Sequence, residues 1–139
     1  MAQVRLTRAI EFSSSLSYRA PDLDEAESLR LFGPAANLHG HNYRLEVTLR
    51  GEPDPVTGMV LDLKELKGVL EREVSQRFDH RDLNRDTPYF EKTPPTPESF
   101  AQVIHQLLLA ALPKGMLERT RLRQSQDLWV DVIEPEPAA

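Results

Sequence analysis

Apolar residues follow two rhythms along this chain, and the switches between them mark six elements. Val4, Leu6, Ile10 and Phe12 alternate with Arg5, Thr7 and Glu11, the period of a strand with one buried face. Arg8 interrupts the apolar series and Ser13-Ser14-Ser15 closes it, which predicts strand one over 3–13. Alternation returns in Tyr43, Leu45, Val47 and Leu49, predicting strand two over 39–50. The rhythm then changes to helical period. Leu63, Leu66, Val69, Leu70, Val74 and Phe78 predict helix one over 63–77, with Asp62 as N-cap and Glu65 in capping-box position. Phe100, Val103, Ile104, Leu107, Leu108 and Ala111 predict helix two, started by Thr96-Pro97-Glu98 and ended before Pro113. His105 lies off that stripe and is expected to be exposed. Two further strands are predicted over 117–124 and 127–133.

Breaks fall where the turn chemistry is. Residues 51–58 are rich in Gly, Pro and Asp, and residues 19–38 form a long connection with a short helix expected at 24–31 and a stop at Gly33-Pro34. One domain over 1–134 is expected, with 135–139 a loose tail. The order β-β-α-α-β-β predicts an α+β layer pair: a four-stranded antiparallel sheet with two helices on one face. Such a sheet has two open edges and an uncovered face, which pairing with other copies would protect.

Composition narrows the function classes. The chain has 139 residues, is 40% hydrophobic and contains no cysteine, so disulfides, thiolate ligands and thiol nucleophiles are excluded together. A net charge of −5 argues against nucleic acid as partner. No apolar run is long enough to span a membrane, residues 1–5 lack the apolar stretch of a secretory leader, and a cytoplasmic location is expected.

Candidate chemistry concentrates in Leu38-His39-Gly40-His41-Asn42-Tyr43, at the start of strand two. Residues two apart share a strand face, so the imidazoles of His39 and His41 project together, on the side of Tyr43. Two imidazoles side by side either begin a metal site or simply pack and hydrogen-bond. Gly40 between them leaves room for close backbone approach. Asp79-His80 follows helix one; a carboxylate beside an imidazole suits proton transfer, while Asp and Asn in this loop also suit backbone capping. Arg119, Arg121 and Arg123 share one strand face, either as an anion site or as a salt-bridged surface. Trp129 and Tyr43 read as core or interface aromatics.

In this order the motifs resemble the family of 6-pyruvoyl- and 6-carboxy-tetrahydropterin synthases. Phe12-Ser13-Ser14-Ser15, Leu31-Phe32-Gly33, Asn37 to Tyr43, Thr57-Gly58-Met59-Val60, Asp62-Leu63, Leu66-Lys67, Asp79-His80 with Leu83-Asn84, and Pro95-Thr96-Pro97-Glu98 carry the resemblance over nearly the whole chain. It implies the T-fold, in which sheets join edge to edge into a barrel as a homo-oligomer, a trimer or hexamer. It also implies a pterin-like small molecule as partner, zinc as cofactor, and lyase-type chemistry on a dihydropterin triphosphate with phosphate loss or side-chain cleavage. Carried over by position, His39 and His41 match two zinc histidines, Asp79 and His80 the catalytic pair, and Gln124 and Thr96 substrate-binding positions. The third zinc histidine falls at Leu16, the catalytic cysteine at Ala35 and the ring-anchoring glutamate at Gln124 before Ser125. The zinc ligand set is therefore incomplete, and the alternative is a non-catalytic T-fold homologue binding a pterin- or purine-like ligand.

Overall fold

The computed structural model describes residues 2–137. Two long strands, β1 (Val4–Leu16) and β2 (His39–Gly51), pair antiparallel along their whole length. β4 (Leu117–Ser125) pairs antiparallel with β2, and β5 (Leu128–Ile133) with β4. The sheet is nonetheless five-stranded and mixed rather than four-stranded and antiparallel. A two-residue strand β3 (Arg81–Asp82) runs parallel to β1 at Ser14 and Ser15, giving the order β3-β1-β2-β4-β5. No hydrophobic rhythm marks two residues; the tie comes from Leu83 N–H donating to Ser15 O at 2.8 Å and from Asn84, whose side chain bonds both N–H and C=O of Ser17. β1 also extends three residues beyond its expected end at Ser13, because β2 and β3 supply partners on both sides.

α1 (Glu25–Phe32) lies in the long connection, capped by Asp24 through Glu27 N–H. α2 (Leu63–Leu70), a π-helical turn (Glu71–Ser75) and α3 (Gln76–Phe78) follow one another without a break. The π turn has a reason in the spacing of Leu66, Leu70, Val74 and Phe78. Steps of four overshoot an α-turn by about 0.4 residue each. The wider turn absorbs that drift and keeps all four side chains in the core. Asp62 caps α2 through Lys64 N–H at 2.8 Å; the reciprocal bond from Glu65 is not formed among the described residues. α4 (Pro97–Ala111) is capped by Thr96 Oγ1, which accepts from Ser99 N–H at 3.1 Å.

The helices cover the face carrying Phe12, Leu16, Tyr43, Leu45, Val47, Leu49 and Leu122, with Leu66, Leu70, Phe78, Phe100, Ile104 and Leu108 packed against them. One expectation fails here: His105 is 1% exposed. Its Nδ1 lies 2.8 Å from Thr120 Oγ1 and its Nε2 2.9 Å from Glu134 Oε1, so α4 is pinned to β4 and to the chain just past β5. Helical period cannot anticipate this, because polar partners on other elements make burial of an imidazole tolerable. Of the expected tail, Pro135 lies against the body, its carbonyl accepting from Arg50 Nη2 at 2.8 Å; Ala138 and Ala139 lie outside the described residues.

Candidate functional site

The β1–β2 ladder decides what faces the two histidines. His39 stands opposite Leu16 and His41 opposite Ser14. The imidazoles do share a face, with ring centroids 5.1 Å apart, and His41 continues onto Tyr43 at 5.7 Å. Gly40 meets the expected close approach: a Cβ there would lie 3.2 Å from Ser14 O. His39 Nδ1 is 2.7 Å from Asn37 O. A carbonyl only accepts, so Nδ1 carries the hydrogen and Nε2 keeps its lone pair. Burial, followed by the neighbouring His39, lowers the pKa of His41, so this imidazole favours its neutral form.

Zinc does not fit these residues. A zinc site with protein ligands needs at least three side-chain donors. Leu16, opposite His39, is fully buried and offers none. Ser14, opposite His41, spends its hydroxyl on Phe78 O at 2.7 Å. Among the described residues no three His, Cys, Asp or Glu side chains come together as a metal-ion group.

Asp79 and His80 sit at the same end of the sheet, just past α3. His80 adopts φ +57°, the sole positive φ among described non-glycine residues. Its N–H donates to Ser13 O at 2.6 Å. Asp79 Oδ1 accepts from Ser13 N–H at 3.0 Å and lies 2.9 Å from His80 Nδ1 in an ion-pair contact. Of the two roles weighed for this loop, backbone capping is formed, with Asp79 satisfying Ser13 N–H, and the carboxylate also stands beside the His80 imidazole. The His80 side chain is otherwise exposed. His41 and His80 line one open groove of about 400 Å³ with Ser13 to Ser15 and Asn42.

Gln124 and Thr96 lie outside that groove. Gln124 follows Arg123, which pairs with Arg44 next to Tyr43, so it belongs to the same end of the sheet one strand over. The β4–β5 register slips between Arg123 and Ser125, and such bulges re-aim side chains. Gln124 Oε1 is buried without a hydrogen-bond partner among the described residues. Thr96 carries the N-cap of α4 described above. Ala35 sits on a 3₁₀ turn (Gly33–Ala36), its carbonyl accepting from Tyr18 N–H at 2.9 Å.

Tyr18 is the neighbour that sequence reasoning missed. Its ring lies 6.0 Å from that of His39 and 5.7 Å from Phe32, and burial, then Glu98, raises its pKa. The signal was its parity with Leu16 just beyond the predicted end of strand one. At two of its three positions the arginine face resolves toward salt bridges; Arg119 instead donates to Thr48 Oγ1 at 3.4 Å. Arg121 holds Asp131 through two bonds of 2.7 and 3.0 Å, and Arg123 holds Glu46 at 2.6 Å while lying 4.3 Å from the Trp129 ring centre. The Arg121 contact keeps the Asp131 carboxyl below its ordinary pKa.

A profile of 6-pyruvoyl tetrahydropterin synthases matches residues 5–135. The chain belongs to this family. It is 39% identical over 127 residues to the human 6-pyruvoyl tetrahydrobiopterin synthase, covering 90% of this chain and 88% of that protein. Against the Drosophila melanogaster protein of the same name, identity is 42% over 114 residues, covering 81% and 68%. The solved 6-pyruvoyl tetrahydropterin synthase of Caenorhabditis elegans superposes with a TM-score of 0.89 at 30% identity, over 97% of this chain and 98% of that one. The family and its α+β fold are thus shared over nearly the whole chain. Among the described residues no helix is long and apolar enough to cross a membrane.

Proposed function

We propose that this 6-pyruvoyl tetrahydropterin synthase-like chain binds a dihydropterin-type ligand at the histidine end of the sheet. In this reading Gln124 meets the ring and the Asp79–His80 pair moves a proton on the ligand's side chain. The observation that carries it is the Asp79–His80 geometry. A non-glycine residue in the left-handed region costs on the order of 1–3 kcal/mol, and such strain gathers at functional sites. Here it holds an exposed imidazole 2.9 Å from its carboxylate, on the groove lined by His41. A proton acceptor must be within hydrogen-bond reach of its target, and the exposed imidazole beside Asp79 is open to a ligand in that groove.

Gln124 supports the same reading. A buried amide oxygen without a partner calls for a donor, and the ring N–H groups of a pterin are donors. Thr96 contributes through the backbone, by fixing the first turn of α4. The edge of β1 before Ser13, which β3 leaves unpaired, and that of β5 favour edge-to-edge assembly into a trimer or hexamer, with the ligand near the joins. We place this protein in the cytoplasm on the strength of its cysteine-free composition.

A second reading, a binding protein without turnover, is favoured by Leu16 and Ala35, which supply neither a metal ligand nor a proton-transferring thiol. One experiment separates the two. Purified protein is mixed with 7,8-dihydroneopterin triphosphate, and both equilibrium binding and release of inorganic triphosphate are followed. The proposal expects binding and slow release, with release lost in His80→Ala while binding persists. Binding with no release selects the second reading; no binding removes both.

A further inference from the structure

The mismatch between the histidine pair and zinc reaches beyond the proposed ligand. We infer that this chain holds no resident zinc, and that Leu16 is the one position that closes an otherwise prepared metal site.

Two of the three requirements for such a site are already met. The ring centroids of His39 and His41 are 5.1 Å apart on one strand face. His39 is also oriented as metal-bound imidazoles are: Nδ1–H points to a backbone carbonyl at 2.7 Å, leaving Nε2 as the donor atom. The third requirement fails at one place. Directly opposite strand residues have Cβ atoms about 4.5–5.5 Å apart, so the side chain at position 16 is the one that meets His39 across the ladder. Leu16 fills that place with fully buried hydrocarbon, within the cluster that includes Phe12 and Tyr43. Water is thereby kept from the inner side of the pair. The Tyr18 ring lies 6.0 Å from that of His39 and supplies none of the imidazole, thiolate or carboxylate donors of zinc sites. Of the acids at this end of the sheet, Asp79 is committed to Ser13 N–H and stands beside His80, and Asp82 accepts from Ser15 Oγ and from the N–H groups of Asn84 and Arg85.

Metal content and zinc affinity test the inference without reference to activity. Protein purified without chelator is assayed by plasma mass spectrometry, then titrated calorimetrically with zinc chloride; Leu16→His is treated identically. The wild-type chain is expected to carry well under one zinc per subunit. Leu16→His is expected to bind one zinc per subunit, at least about 100-fold tighter, since loss of even a ligand's hydrogen-bonding partner costs roughly 10–100-fold. Adding His39→Ala to that variant should abolish the gain. Stoichiometric, tightly held zinc in the wild-type protein overturns the inference, whatever the variant does, and leaves the pterin reading standing. A folded Leu16→His protein with no gain overturns the assignment of Leu16. Should the variant unfold, it is refolded with and without zinc; folding only with zinc supports the assignment, and failure in both overturns it.

Discussion

At the scale of single residues, the site is a set of side chains whose roles are fixed by what stands beside them. His80 is 84% exposed on its side chain and buries nothing, yet its backbone sits at φ +57°. Glycine enters that region without steric cost. His80→Gly is therefore expected to leave stability unchanged or raise it, by up to about 1 kcal/mol, while removing the proposed proton acceptor. Thermal denaturation followed by circular dichroism checks this, and a clear loss of stability would show that the imidazole is a structural part. The sequence made Asp79, His80, His39 and His41 visible as candidates because the pairs are adjacent or spaced by two. It could not show that Asp79 also bonds Ser13 N–H, since those residues lie 66 apart in the chain. Tyr18 went unnoticed for the same kind of reason: its importance is a distance to His39.

At the scale of elements, periodicity located both major helices and all four long strands, and its failures have specific physical causes. The π turn reconciles four-residue spacing with a straight apolar stripe. β3 exists because Ser15 and Ser17 offer backbone partners to Leu83 and Asn84. His105 is the instructive case, since the helical pattern points it outward and the packing buries it. Its two bonds join three segments, so His105→Ala leaves Thr120 and Glu134 without their partner. Leaving a buried polar group unsatisfied costs roughly 1–3 kcal/mol, and urea denaturation should register a loss of that order. His105→Gln, which retains one donor and one acceptor, should recover part of it; a neutral His105→Ala would show that the buried bridge contributes nothing net.

At the scale of the whole molecule, one face of the sheet is covered by helices and the other carries the ion pairs Arg5–Glu118, Arg121–Asp131 and Arg123–Glu46. The β5 edge strand exposes Leu128, Trp129 and Ile133. Exposed edges of this kind call for partners. Sedimentation equilibrium is expected to give a mass that is a multiple of three chains; a monomer at micromolar concentration would refute the assembly. Much was settled by sequence alone. The two hydrophobic rhythms, the caps at Asp24, Asp62 and Thr96, and the turn residues dictate which segments are helix and which are strand, because local sterics and burial act over a few residues. The shared face of His39 and His41 follows from strand period in the same way. Tertiary structure decided the rest, because it depends on contacts between distant segments. The β1–β2 register set Leu16 against His39, three elements met at His105, and the β4–β5 bulge left Gln124 Oε1 without a partner.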